Sequence, residues 1–193
     1  MLGRIAGVAT VVLTIAYPFV VYIGLTRFRV RQLAVVLVAM LVASALLRAR
    51  GLDRTRLRGV IVPLAPTVVL AMVAGALDRQ WALLLVPVIV NLGLLATFAA
   101  SLRAGKVPMV ERFARLQEPE LPEANALYCR TVTKVWIGFF AVNAVLSGAL
   151  ALWAPLSWWT LWCGALAYGC IGLVFAIELG VRRWRFGPAR GRG

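Results

Sequence analysis

The chain has 193 residues, of which 62% are hydrophobic and 15% are charged, and its mean hydropathy is +0.89. Soluble domains are roughly 45–50% apolar and about 25% charged, so this composition excludes an ordinary soluble domain and predicts a membrane protein. The formal net charge of +14 would suggest nucleic-acid binding in a soluble protein. Here the basic residues lie between long apolar runs, a pattern typical of membrane topology signals and of contact with anionic lipid, so we expect no nucleic-acid partner.

Histidine is absent from the sequence. This excludes Ser-His-Asp triads, Cys-His pairs, zinc sites of the H-E-x-x-H type and haem with a histidine axial ligand. The three cysteines, Cys129, Cys163 and Cys170, are widely spaced and form no C-x-x-C motif, so neither a disulfide framework nor a metal knuckle is predicted. We therefore expect no cofactor, no metal site and no assigned catalytic residue, and enzymatic activity is disfavoured but left open.

Six apolar runs predict transmembrane helices, because about 20 apolar residues cross the hydrocarbon core of a bilayer. The second run has only about 15 apolar residues, so whether it fully spans stays open. The predicted fold class is an all-α polytopic membrane helix bundle, and residues 1–193 form a single membrane domain. The predicted helices cover residues 5–25, 33–47, 60–77, 81–100, 135–153 and 158–179, followed by a basic tail over residues 180–193.

The distribution of Lys and Arg predicts the orientation of these helices. With six spans, most basic residues fall on one side, which predicts a multi-pass protein with both termini in the cytoplasm. Arg27, Arg29 and Arg31 fall on the opposite side and argue against this orientation. If the second segment only dipped into the membrane, these arginines would lie inside and the N-terminus would face out.

The longest predicted extramembrane segment is a cytoplasmic loop over residues 101–134. Its first part, residues 107–116, has the spacing of a short amphipathic helix at the lipid headgroups. The predicted apolar face carries Met109, Val110, Phe113 and Leu116, and the polar face carries Glu111, Arg112 and Arg115. Pro119 and Pro122 end this helix, and a new helix beginning near Glu123 is predicted to continue into the fifth span.

Arginines and carboxylates of this loop form a candidate binding face. Arginines suit a phosphate or carboxylate headgroup, carboxylates suit a metal ion or a basic partner, and the apolar helix could admit an acyl tail. The simpler interpretation is a solvated, self-paired loop that only anchors at the interface. The candidate binding residues are Arg112, Arg115, Glu118, Glu120, Tyr128 and Arg130.

Few polar groups are predicted inside the membrane, and they are Asn91, Asn143 and Glu178. Glu178 and Arg182 share a helical face at i, i+4, which predicts an ion pair near the end of the last span. Asn143 shares a face with Ser147, and hydrogen bonds between helices are the expected role of these neutral groups. The scarcity of intramembrane charge disfavours an ion-coupled carrier.

Four segments resemble a proteobacterial family of uncharacterised inner-membrane proteins: residues 17–25, 108–122, 128–136 and 139–143. The likeness is loose over the whole chain and closer in the central loop. It implies that the gene for this protein lies beside those of the fatty-acid-synthase-like enzymes of aryl polyene or related pigment pathways. Some members carry the label ketosynthase through gene neighbourhood, but that chemistry requires two histidines and a soluble thiolase-type fold, and this chain has no histidine.

The resemblance and the central loop together suggest a non-catalytic accessory or scaffold component of a lipid or aryl-polyene-type acyl biosynthesis pathway. The expected partners are membrane lipid and, through the basic loop, the acidic acyl-carrier or acyl-transfer proteins of that pathway. The sequence predicts no oligomeric state.

Two other functions remain open from the sequence. The first is a lipid or polyene translocator, suggested by Asn91 and Asn143 together with prolines that would bend the third and fourth helices. Those prolines are Pro63, Pro66 and Pro87. The second is a small membrane acyl- or head-group transferase that would use Glu118, Glu120 and Cys129.

Overall fold

The computed structural model of the chain describes residues 16–49, 54–117 and 120–187, and its regular elements within these ranges are all helices. Residues 5–15 of the first predicted span, Glu118, and residues 188–193 of the basic tail lie outside the described ranges. The elements are α1 (residues 16–27), α2 (Val30–Ala49), α3 (Arg54–Leu77), α4 (Trp81–Leu84), α5 (Val86–Ser101), α6 (Met109–Gln117), α7 (Glu123–Trp153), α8 (Leu156–Leu161), a π-helical turn (Trp162–Leu166) and α9 (Ala167–Phe186).

Three helical stretches of the described chain are long and apolar enough to cross a membrane. They are Trp81–Ser101, Glu123–Trp153 and Leu156–Arg185, with mean hydropathies of 2.3, 2.0 and 1.9. These stretches coincide with the fourth, fifth and sixth predicted spans. The predicted all-helical fold class is thereby confirmed, and the length and hydropathy of these three helices are consistent with the membrane protein predicted from composition. Shorter apolar stretches, Val30–Ala39 and Ala65–Leu77, lie within α2 and α3.

Prolines act differently in the third and fourth predicted helices. Pro87 lies in the first turn of α5, directly after a break at Leu85 that separates α4 from α5. This position suits proline, because the first turn of a helix needs no backbone N–H donor. Pro63 and Pro66 lie inside α3, which continues through both. The predicted bend therefore takes the form of a break at Pro87, whereas α3 is one uninterrupted helix.

Small side chains join α2 to α3. Ala71 and Ala74 of α3 are buried with Leu33 of α2 in one core cluster, which also includes Ala82 and Leu83 of α4. A Cβ atom added to Gly75 would lie 3.0 Å from the Cβ atom of Ala34. Alanine and glycine at such positions let helix backbones approach closely, so α2 and α3 form a tight pair.

A second cluster packs α1 against α4 and α8. Val21, Leu84 and Trp159 are its buried members, together with Cys163 of the π-helical turn. The indole Nε1 of Trp159 donates to the backbone oxygen of Leu84 at 3.1 Å. The α1–α2, α3–α4 and α7–α8 turns therefore lie at one end of the bundle, which we call the Trp159 end.

The opposite end, which we call the α6 end, is formed by α6 and the helix ends around it. The backbone N–H of Val110 donates to Oγ1 of Thr133 on α7 at 3.3 Å, and that of Met109 donates to Oγ of Ser101 at 2.9 Å. Helix α7 begins at Glu123 directly after Pro122, as the proline pattern predicts. Residues 123–134 of the predicted loop are therefore helical and continuous with the fifth span.

Candidate functional site: a cavity between α6, α7 and α9

A cavity of about 450 Å³ lies at the α6 end, between α6, α7 and α9. Its floor is aromatic and its rim carries one acidic and one basic side chain. The volume is within the range of roughly 300–1,000 Å³ that small-molecule sites occupy. The lining residues that define its chemistry are Phe98, Trp136, Phe140, Phe175, Glu178 and Arg182.

Aromatic rings hold α7 and α9 together across this cavity. The rings of Trp136 on α7 and Phe175 on α9 have centroids 4.8 Å apart. Phe140 meets Phe98 of α5 edge-to-face with centroids 5.1 Å apart, an arrangement favoured by the ring quadrupoles. Trp136 is only 7% exposed, so it belongs to the core of the bundle.

Helix α6 forms one wall of the cavity with part of its predicted apolar face. Val110, Phe113 and Ala114 line the cavity, whereas Leu116 is 82% exposed. Glu111, predicted on the polar face, is buried. Its carboxylate accepts a charge-assisted hydrogen bond from Arg115 in an ion pair of 2.7 Å, which offsets the cost of burying the charge. Glu111 of the predicted polar face is therefore buried in an ion pair rather than solvated.

The arginines of the candidate binding face make hydrogen bonds within the protein. Nε of Arg112 donates to the backbone oxygen of Val107 at 3.0 Å, and Nη2 of Arg130 donates to that of Leu102 at 3.1 Å. Arg115 is paired with Glu111. These bonds fix the conformation of the α5–α6 connection and of α6 itself, which agrees with the self-paired interpretation of this loop.

The remaining candidates of that face are separated from one another. Tyr128 lines the cavity and its hydroxyl donates to the backbone oxygen of Glu178 at 3.4 Å, linking α7 to α9. Glu120 is exposed, and Glu118 lies outside the described residues. Of the predicted binding residues that the structure describes, Tyr128 therefore lines the cavity.

Glu178 and Arg182 both line the cavity from α9. In the described ranges the ion pair is Glu111–Arg115, and no ion pair joins Glu178 to Arg182. The predicted pairing of these two residues is therefore wrong, although their i, i+4 spacing does place them on one face. Sequence reasoning named Arg182 only as the partner of Glu178 and missed it as a site residue. Their shared helical face could have indicated that Arg182 belongs to the same site as Glu178. The sequence alone did not show that this face of α9 lines a cavity.

The polar groups deep in the bundle are hydrogen-bonded to each other. Nδ2 of Asn143 donates to Oδ1 of Asn91 at 3.0 Å, and Nε1 of Trp162 donates to Oδ1 of Asn143 at 2.9 Å. Nδ2 of Asn91 donates to the backbone oxygen of Pro87 at 2.8 Å. The predicted hydrogen bonds between helices are thus confirmed, and they tie α5, α7 and the π-helical turn together.

The thiols lie in apolar surroundings. Cys129 is buried and lines the cavity, and Cys163 is buried with its Sγ 3.6 Å from Oγ of Ser147. Cys170 is half-buried. Within the described part of the chain, no three His, Cys, Asp or Glu side chains come together in a group suited to hold a metal ion. The chemistry that this site offers is therefore apolar contact and the two rim charges.

Comparisons of the chain with protein-family models, with curated proteins and with solved structures found no match. The function is therefore inferred from the cavity and its surroundings, with the family resemblance standing as an expectation from the sequence.

Proposed function

We propose that the protein holds the acyl chain of a membrane lipid or lipidic intermediate in the cavity between α6, α7 and α9, as a non-catalytic component of a lipid or acyl biosynthesis pathway. The cavity carries this proposal. Its aromatic floor excludes water and gives an acyl chain a large apolar contact area. Phe175 and Leu179 line it and are each about half exposed, so the cavity is open at α9, where a chain would enter from the bilayer.

The proposed topology has six membrane helices with both termini in the cytoplasm of a bacterial inner membrane. Helices α2 and α3 have 20 and 24 residues, so at a rise of about 1.5 Å per residue each is long enough for a hydrocarbon core of ~30 Å. In this topology the Trp159 end, with Arg27, Arg29 and Arg31 close to it, faces the periplasm. The α6 end faces the cytoplasm.

The proposed partner at the α6 end is an acidic acyl-carrier or acyl-transfer protein. Arg103, Lys106 and Arg112 are exposed beside α6, and Lys134 is exposed on α7. A basic surface next to the mouth of the cavity would attract an acidic partner and bring its acyl group close to the apolar lining.

The alternative functions have less support from the site. A translocator would use Asn91 and Asn143, but the described hydrogen bonds of these two side chains serve the packing of α5 against α7. A transferase would use Cys129 with Glu118 and Glu120. The chain has no histidine to act as a base for a cysteine nucleophile, and Cys129 is buried.

Native mass spectrometry of the full chain, purified in mild detergent, tests the acyl-chain proposal. The wild-type protein should retain a bound lipid or acylated species. Ala114→Phe fills the cavity from α6 and should remove most of that species. Ala124→Phe is the matched control, because Ala124 is exposed in the first turn of α7 and does not line the cavity. Equal retention by the two variants would overturn the proposal.

Charge reversal tests the proposed partner. Lys106→Glu combined with Arg112→Glu should weaken binding of the pathway's purified acyl-carrier protein, with a reduced dependence on salt. The control is Arg79→Glu, since Arg79 is exposed in the α3–α4 turn at the Trp159 end. If the control weakened binding as much as the α6-end variant, the partner surface would be assigned to the wrong end of the molecule.

A further inference from the structure

We propose that the occupant of the cavity is a phospholipid with a zwitterionic headgroup bearing a primary ammonium, as in phosphatidylethanolamine, with its phosphate at Arg182 and its ammonium at Glu178. This inference rests on the proposed function, because it assigns the headgroup of the same acyl-chain site. It goes further in naming the charges that select the lipid.

The arrangement of the two rim charges is the first argument. Glu178 and Arg182 are one helical turn apart on α9, and side chains at this spacing have Cβ atoms about 5–6 Å apart. Both line the cavity, and no ion pair joins them in the described residues. A headgroup in which two carbons separate a phosphate ester from an ammonium offers each rim charge an opposite charge, and a primary ammonium, unlike a quaternary one, can also donate hydrogen bonds to the carboxylate of Glu178.

The other groups on the cavity wall add no further charge. From α7 the polar lining residues are Asn125 and Tyr128, which are neutral hydrogen-bonding groups. On α6, the nearest charges, Glu111 and Arg115, neutralise each other. A headgroup with only a negative charge would bind Arg182 but would leave its charge next to the carboxylate of Glu178, which disfavours anionic lipid here.

The size and opening of the cavity agree with one chain of such a lipid. A volume of about 450 Å³ is small for a whole two-chain phospholipid. Because Phe175 and Leu179 line the cavity and are each about half exposed, the cavity is open at α9, and the second chain can remain in the bilayer there. Only the headgroup and one chain then need to be recognised by the protein.

Quenching of tryptophan fluorescence by lipids brominated on the acyl chain tests the headgroup. The full chain is reconstituted in vesicles of unlabelled phosphatidylcholine that contain brominated phosphatidylethanolamine, phosphatidylglycerol or phosphatidylcholine. The chain has seven tryptophans, so the signal of Trp136 is taken as the difference between wild type and Trp136→Phe. We expect brominated phosphatidylethanolamine to quench Trp136 at a mole fraction about three- to fivefold lower than either other lipid, the size of effect that one half-exposed charge pair gives.

Two variants of the rim residues and one control variant show which side chains cause the preference for phosphatidylethanolamine. Glu178→Gln should abolish the advantage of phosphatidylethanolamine over phosphatidylglycerol, and Arg182→Gln should weaken quenching by both lipids. Arg183→Gln should behave as wild type, because Arg183 is exposed in the next position and does not line the cavity.

The possible failures separate this inference from the proposed function. Quenching by phosphatidylglycerol or phosphatidylcholine as strong as by phosphatidylethanolamine would overturn the headgroup assignment, while acyl-chain binding would stand. If no brominated lipid quenched Trp136, acyl-chain binding in this cavity would itself be wrong, and the headgroup assignment would fall with it.

Discussion

The α2–α3 pair and the α7–α9 pair show two ways of packing helices in the same bundle. Between α2 and α3 small residues pack beside Leu33, and a Cβ atom added to Gly75 would lie only 3.0 Å from the Cβ atom of Ala34. Between α7 and α9 the contact is made by large rings, Trp136 and Phe175. The first pair brings its backbones together and leaves an open groove of about 650 Å³ on its surface, whereas the second leaves a cavity of about 450 Å³ beside the rings.

Side-chain size at the interface therefore decides how closely two helices of this fold approach each other. In a bilayer, apolar burial gives little drive for helices to meet, so close van der Waals packing and hydrogen bonds hold them. The alanines and Gly75 supply close packing to α2 and α3. Helices α7 and α9 instead depend on ring contacts and on the Tyr128 hydroxyl, and the cavity lies beside this looser contact.

The largest expected effect comes from adding volume to the tight pair. Gly75→Leu would place a side chain where even a Cβ atom lies 3.0 Å from Ala34, so we expect it to lower the free energy of unfolding by about 1–3 kcal/mol. Thermal unfolding in detergent should show a clearly lower midpoint.

Gly93→Leu is the matched control, since Gly93 is a helical glycine with no atom within 4 Å of its would-be Cβ. It should leave the midpoint unchanged or raise it, because leucine favours the helix more than glycine does. Equal midpoints for the two variants would contradict a close approach of α2 and α3.

An intermediate effect is expected at the crossing of α5 and α7, between the two pairs. Asn143→Leu removes a donor to Asn91 and an acceptor for Trp162. Interhelical hydrogen bonds in membrane proteins are worth about 0.6 kcal/mol on average and up to about 1.7 kcal/mol, so we expect a loss of roughly that size.

A double-mutant cycle with Asn91→Leu measures the part due to the Asn91–Asn143 bond, with the unfolding free energy taken from titration with a denaturing detergent. Coupling of zero would show that the two side chains contribute independently. The bond between them would then have no role in holding α5 to α7.

Much of the fold follows from the sequence because apolar runs and prolines act locally. The three long spans, the start of α7 after Pro122 and the break at Pro87 all lie where those signals predict them. The hydrogen bonds of Asn143 were also predictable, since a buried amide in a membrane helix needs a partner on another helix.

The site was harder to predict because it depends on how whole helices face one another. The rotation of α6 about its axis buries Glu111 and exposes Leu116, and this rotation is set by contacts with Thr133 and Ser101 on other helices. The periodicity within α6 carries no information on those contacts. For the same reason the i, i+4 spacing predicted an ion pair between Glu178 and Arg182, whereas both residues line the cavity from α9.

The smallest expected effect comes from adding volume to the open pair. Ala114→Phe places its ring in the cavity, so its free energy of unfolding should differ from that of Ala124→Phe by no more than about 0.5 kcal/mol. Replacing a helical alanine by phenylalanine lowers helix propensity equally in both variants. The difference between their free energies of unfolding therefore reports the effect of filling the cavity. The same protein that loses its bound lipid should thus keep its stability when both are measured in lipid-free detergent. A loss as large as that of Gly75→Leu would mean that the space beside Trp136 cannot admit a side chain, and the contrast between the two helix pairs would not hold.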